Sequence, residues 1–167
     1  MKEYYKYTDD AKILGVIQNI KEFSMFSPAD IKSFMSMGKV LEYEPGELII
    51  RQGDLDCWVY FLLSGLLEVV RDGGVIGKVN KRGEVFGEMG IIDGSPRSTS
   101  VRASQKSVVL GVDASLLDRS EKANDAVFGY TLFKRFSEIL AERLRALTEE
   151  NTRLRKELAR FQSAKSG

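Results

Sequence analysis

VFGEMGIIDGSPRSTSVRA, residues 85–103, is the stretch on which the reading of this chain turns. It sets a glycine that permits close backbone approach, Gly87, beside a carboxylate, Glu88. A short apolar turn follows at residues 89–92, and then an arginine, Arg97, between Pro96 and Ser98. A carboxylate accepts from a sugar hydroxyl. An arginine fork donates to two oxygens of a phosphate, and backbone N–H groups at the start of a short helix face the same anion. Taken singly, each residue also has a purely structural explanation. Glu88 and Arg97 suit an internal ion pair, Gly87 a tight turn, and Ser98 a backbone hydrogen bond.

On both sides of this stretch the chain reads as short strands. Runs of Val, Ile, Leu, Tyr and Phe cover residues 39–43, 48–50, 57–63, 66–71, 75–80, 84–86, 98–103 and 107–112. They are punctuated by Pro45-Gly46, Gly53-Asp54, Ser64-Gly65, Asp72-Gly73-Gly74, Arg82-Gly83 and residues 94–96. Asp72-Gly73 between apolar runs is a hairpin signal. Strands this short and this closely spaced predict a sandwich, roll or barrel rather than alternating βαβ units. Residues 8–37 read as helical. Ile13, Leu14, Ile17 and Ile20 recur at helical spacing, and Ser27-Pro28 reads as an N-cap with proline at the first helical position. The expected fold is mainly β with flanking helices: an eight-stranded, jelly-roll-like β-roll with N-terminal helices and a long C-terminal helix. The expected divisions are residues 1–37, 38–122 and 123–162.

Composition narrows the chemistry. Lys and Arg total 25 against 24 acidic residues, and a net charge of +1 gives no argument for nucleic acid or an anionic membrane surface. Histidine, the commonest general base and metal ligand, is absent from the chain, and a single cysteine excludes an internal disulfide and a thiolate cluster. That cysteine, Cys57, opens the apolar run CWVYFLL and is expected to be a buried thiol. MKEYYKYTDD at the N-terminus lacks the apolar segment of a signal peptide. The longest apolar run is broken at Ser64-Gly65, too short to span a bilayer. A cytoplasmic protein with no membrane span, metal or cofactor and no enzymatic activity is expected.

The last third returns to helical periodicity, with one helix expected from about residue 123 to Phe161. Leu140, Leu144, Leu147, Asn151, Leu154, Leu158 and Phe161 follow at alternating spacings of 4 and 3. Leu140, Leu147, Leu154 and Phe161 fall on d; Leu144, Asn151 and Leu158 fall on a. A lone Asn at a, with Leu at d, favours a parallel two-stranded coiled coil, and hence a homodimer, over an amphipathic helix packed on its own domain.

The order of helix, eight-stranded roll with an internal cassette, and C-terminal helices resembles the layout of the cyclic nucleotide-binding domain family. PGELIIRQGD (residues 45–54) is similar to the family's turn before its third strand, and RGEVFGE (residues 82–88) to its run into the phosphate-binding cassette. The resemblance implies a sensor domain of the catabolite-activator kind whose ligand is cAMP or cGMP. It assigns Glu88 to the ribose 2′-hydroxyl and Arg97 to the cyclic phosphate. Gly87, Met89 and Gly90 line the ribose-phosphate with backbone groups, and Ser98 is the small or hydroxyl residue beside the phosphate. Val69 and Val79 are the roll residues placed for the purine, although both equally suit plain core. Thr148, aligned through LAERLRALTEE, is the helix hydroxyl that reaches the base. Many cGMP binders carry threonine after the phosphate arginine and many cAMP binders alanine, so Ser98 leaves the nucleotide open.

The same resemblance implies a route for the signal. Ile91 or Ile92 repacks against a hinge at residues 127–136, and the coiled coil carries the change to an effector protein. The family's transcription factors continue into a helix-turn-helix. Here residues 162–167 alone follow Phe161, so direct DNA binding is not expected. Two other readings compete. One is a dimeric coiled-coil scaffold with a vestigial pocket, which the presence of both Glu88 and Arg97 disfavours. The other is a phosphodiesterase, which usually needs metals or a histidine base.

Overall fold

Apolar residues that recur every second position turn one face of a strand inward, whereas an unbroken apolar run needs cover on both faces. Both patterns occur in this chain. The computed structural model describes residues 14–15, 17–19, 23, 26–36, 38–115 and 123–165. Its eight strands form two antiparallel four-stranded sheets. β1 (Gly38–Tyr43), β8 (Ser107–Asp113), β3 (Trp58–Ser64) and β6 (Val85–Phe86) lie in that order in the first. β2 (Leu48–Ile50), β7 (Ser100–Ala103), β4 (Leu67–Arg71) and β5 (Gly74–Val79) make the second.

Leu41, Tyr60, Leu62 and Val109 from the first sheet join Ile50, Leu67, Val79, Val101 and Ala103 from the second in one buried cluster, together with Phe86. The alternate residues Val40, Val59, Phe61, Leu110 and Val112 are buried as well. They point to the other face of the first sheet, where Phe23 packs on Phe61 with ring centroids 4.9 Å apart. Cover on both faces is why WVYFLLS reads as a continuous apolar run. Asp72 (φ 49) and Gly73 (φ 84) make the β4–β5 turn in the left-handed conformation that a tight hairpin requires.

Each of the eight expected strands is present within two residues of its expected bounds. The largest departure is β7, which starts at Ser100 and not at residue 98. The backbone of Arg97 is already committed elsewhere: Gly53 N–H donates to its carbonyl and its own N–H donates to Asp54 O, each at 2.9 Å. Cys57 departs from expectation too, for it is exposed. The ladder begins one residue later, at Trp58, whose N–H is held by Asp56 Oδ1 at 2.9 Å, so the thiol falls in the loop.

The N-terminal reading is met in part. Helix α1 (Pro28–Ser36) begins at the expected proline, and Ser27 O accepts from Ile31 N–H at 3.0 Å. Ile17 and Ile31 are buried, while Ile13 and Ile20 lie outside the described residues. The chain divides into two compact units, Met1–Lys122 and Ala123–Gly167. The long helix Ala123–Lys165 (43 residues) belongs to the second unit. On it Leu144, Leu147, Leu154, Leu158 and Phe161 are all exposed.

The β3–β4 turn tests the packing of the roll. Gly65 has φ +110, and a methyl group there would lie 2.2 Å from Ser107 Oγ and 2.6 Å from Ser107 Cα. Ser107 is fully buried and donates its hydroxyl to Gln105 O at 2.7 Å, so it has nowhere to retreat. Gly65→Ala should therefore destabilise the fold by about 2–4 kcal/mol. Denaturant unfolding followed by circular dichroism measures this, and a loss under about 0.5 kcal/mol would refute the close approach.

Candidate functional site

Residues 85–103 form a strand, a turn, one short helix and a loop that returns to the second sheet. Gly87 (φ +81) turns the chain out of β6, and Glu88 stands at the head of helix α2 (Met89–Asp93). Gly94 closes that helix in the left-handed conformation, with φ 67, where a side chain is disfavoured. Asp93 Oδ1 then accepts from Ser95 N–H at 2.9 Å and bends the chain toward Arg97.

Arg97 is only 5% exposed, and its guanidinium is surrounded by acceptors. Nε donates to Asp56 Oδ2 at 3.1 Å. Nη2 donates to Asp56 Oδ1 and to the Trp58 carbonyl, and Nη1 donates to the Gly87 carbonyl. A buried cation needs a counter-charge and full hydrogen bonding, and Asp56 supplies the charge from the β2–β3 loop. Burial raises the Asp56 pKa. The Arg97 hydrogen bonds, the Trp58 N–H and the arginine's charge outweigh it and hold the carboxyl below its ordinary 3.8. The two backbone bonds from Gly53 and to Asp54 fix Arg97 to the same loop.

Glu88 is 2% exposed, so a carboxylate and a guanidinium are both buried in one short segment. The glycines make room for them. A methyl group on Gly87 would meet Arg97 Nη1 at 2.9 Å, Ile50 Cδ1 at 3.0 Å and the Trp58 carbonyl at 3.3 Å. One on Gly90 would lie 3.1 Å from Ser95 O and 3.7 Å from Arg97 Nη1. The result is a buried arginine bonded to a carboxylate and two carbonyls, beside a second buried carboxylate, framed by close-packed backbone. Among the described residues no group of three His, Cys, Asp or Glu side chains is placed to hold a metal ion.

Residues 40–120, which contain this whole arrangement, match the family model for the cyclic nucleotide-binding domain. Residues 40–120 thus carry a cyclic nucleotide-binding domain. A cGMP-dependent protein kinase of Toxoplasma gondii is 31% identical over 104 residues, which are 62% of this chain and 10% of the kinase. A solved cyclic nucleotide-binding domain from Methylobacillus flagellatus KT is 27% identical, with a TM-score of 0.67 over 81% of this chain and 78% of that one. The catabolite activator protein of Thermus thermophilus is 25% identical, with a TM-score of 0.61 over 80% of this chain and 62% of its own. The chain thus spans about a tenth of the kinase's length.

Within this cyclic nucleotide-binding domain the structure sorts the remaining sequence candidates. Met89 and Ser98 are exposed on the cassette, Ile92 is exposed and Ile91 half-buried. Val79 is 4% exposed and belongs to the core between the sheets, with its cross-strand partner Leu67. Val69 is half-buried, packs against the same cluster and lies opposite Gly77, which has no side chain to cover it. Thr148 lies on the long helix, in the second unit, and donates its hydroxyl to Leu144 O at 2.8 Å. Sequence reasoning missed Asp56 and the Trp58 carbonyl. The available signal was the need of a buried arginine for a counter-ion, with Asp54 and Asp56 nearby in a turn. It did not say which of the two would turn inward.

The frame around Arg97 is testable through its tightest glycine. Gly87→Ala combines a strained positive φ with contacts under 3.4 Å on three sides. It should lower stability by about 1–3 kcal/mol and displace Arg97. Thermal unfolding together with the amide spectrum of residues 85–103 checks both effects, and an unchanged melting temperature would contradict the geometry.

Proposed function

We propose that this domain is a regulatory receptor for a cyclic purine nucleotide, cAMP or cGMP, and that it acts by binding rather than catalysis. The observation that carries the reading is the pair of buried ionic side chains, Glu88 and Arg97, on one glycine-framed cassette. An arginine held this way suits the cyclic phosphate, and a glutamate suits the ribose 2′-hydroxyl. The family match and the cGMP-dependent kinase among the relatives support the ligand class. The absence of histidine from the sequence supports binding without hydrolysis. A cytoplasmic site of action goes with this reading.

The long helix is the proposed output. Leu144, Leu147, Leu154, Leu158 and Phe161 are 52–71% exposed and recur at heptad spacing, a face that needs a partner. A second copy fits it. In a parallel pair Asn151 meets its own counterpart, and Glu150 at g lies opposite Arg155 at e of the other helix, an attractive pair in each direction. Differential affinity of the nucleotide for two conformations would then bias the helix and whichever effector protein reads it.

Calorimetry with cAMP and cGMP tests the ligand directly. Saturable binding in the micromolar range or tighter is expected for at least one, and no saturation with either at millimolar concentration refutes the reading. Arg97→Ala should weaken binding about a hundredfold, roughly 3 kcal/mol. Arg97→Lys should recover part of that, and Glu88→Gln should lose less because its partner is a neutral hydroxyl. Binding within threefold of the parent by Arg97→Ala would remove the phosphate assignment.

Sedimentation and light scattering test the dimer. A dimer at tens of micromolar is expected, with a monomer for a chain ending at Arg145. Asn151→Leu should tighten association while loosening the choice of oligomer. A dimer that binds neither nucleotide would favour the scaffold reading.

A further inference from the structure

We infer that Gln52 is a positioning residue for Arg97: its side-chain amide fastens the backbone that holds the arginine to the tip of the β4–β5 hairpin, and the affinity for cyclic nucleotide depends on that fastening. The inference rests on the reading of Arg97 as the phosphate anchor. Every residue from Arg51 to Cys57 is exposed. A loop with so little buried surface is placed by its hydrogen bonds. Gly53 N–H donates to Arg97 O and Arg97 N–H to Asp54 O, each at 2.9 Å. The loop and the arginine share this short ladder, so whatever steadies residues 52–54 steadies Arg97.

Gln52 ties that loop to two further elements. In the second sheet β7 lies between β2 and β4, and it begins at Ser100. On the Arg97 side of Ser100 the chain leaves the sheet for the cassette, and Gln52 reaches across the place it leaves. Its backbone N–H donates to Ser100 Oγ at 2.9 Å. Its side-chain Nε2 donates to Asp72 Oδ1 at 3.0 Å, and its Oε1 accepts from Asp72 N–H at 3.3 Å. The end of β2 is thereby clamped to the turn that follows β4.

Asp72 suits the far end of this clamp. Among the described residues it is the one non-glycine at positive φ. A left-handed turn accepts glycine most readily. Aspartate there supplies what glycine lacks, a side-chain acceptor, and Gln52 uses it together with the backbone N–H of the same residue. The hairpin is itself fixed along β4, which pairs with β7 from Leu67 to Val70. β4 also carries Val69, the half-buried candidate for the purine. The clamp therefore joins the strand of the purine candidate to the loop of the phosphate anchor. A ligand that touches both is bound more tightly when their separation is set in advance.

Calorimetry with cAMP and with cGMP on the full chain is the test, with Gln52→Ala, Gln52→Glu, and Gln52→Glu combined with Asp72→Asn as the variants. Gln52→Ala should bind about threefold to tenfold more weakly than the parent. Gln52→Glu turns two carboxylates toward each other and should also weaken binding. Adding Asp72→Asn restores a donor–acceptor pair in the reverse sense and should return the affinity to within about twofold of the parent. In the absence of nucleotide, the Gly53 and Arg97 N–H groups should exchange faster in Gln52→Ala than in the parent. A lowered melting temperature with unchanged affinity would make the clamp structural only and overturn the inference. Failure of the combined variant to recover affinity, or unchanged exchange at Gly53 and Arg97, would overturn it too. Each of these leaves the receptor reading standing, because the parent binds. Failure of parent and variants alike to bind either nucleotide overturns the receptor reading, and the positioning role with it. Should Gln52→Ala not fold, the comparison of Gln52→Glu with the combined variant decides alone.

Discussion

A guanidinium enclosed by protein must be met by acceptors on every side, and the part of the roll around the cassette is arranged to meet that demand for Arg97. Its ties reach the β2–β3 loop through Asp56, Gly53 and Asp54, the first residue of β3 through the Trp58 carbonyl, and the end of β6 through Gly87. Strands β3 and β6 are neighbours in the first sheet, and the chain beyond Arg97 enters the second through β7. One side chain thus links a loop, a cassette and both sheets. An uncompensated charge at this depth is expensive, on the order of 3–5 kcal/mol when a partner is removed. The glycines at 87 and 90 follow from the same demand, because any larger residue would press on the arginine or on the backbone beside it.

In the proposed receptor, the residue that serves a ligand also serves the fold. Binding residues held by structural ties are pre-oriented, which reduces the ordering a ligand must impose. They also compete with the ligand, because an acceptor that satisfies the arginine in the free protein is an acceptor the ligand must match or displace.

Much of the fold was legible because its signals are local. Asp72-Gly73 specifies a tight hairpin by backbone conformation alone, Pro28 starts a helix, and turn residues bound every strand. The unbroken run at β3 is read correctly once cover on both faces is granted. Cys57 was misplaced because the apolar run continues one residue beyond the ladder, where the Asp56 side chain takes the Trp58 N–H. Of the site, Gly87, Glu88 and Arg97 were legible from spacing within one segment. Asp56 was not, since the choice of a counter-ion across 41 residues depends on how a loop folds back. Val69 and Val79 show another limit. Alternation reveals that a strand residue faces inward, and it cannot distinguish a packed neighbour from an open one.

Trp58 is the single tryptophan of the chain, and it occupies an unusual place. Its carbonyl binds the Arg97 guanidinium, its N–H binds Asp56, and its ring stacks on Tyr60 at 6.4 Å with Lys39 Nζ 5.8 Å from the ring centroid. Tyr60 in turn stacks on Phe86 at 5.3 Å, the residue before Gly87. Trp58 is therefore linked on both its backbone and its ring side to the surroundings of Arg97. The protein thus carries its own candidate optical probe: the one native indole adjoins Arg97, with no second tryptophan to dilute its signal.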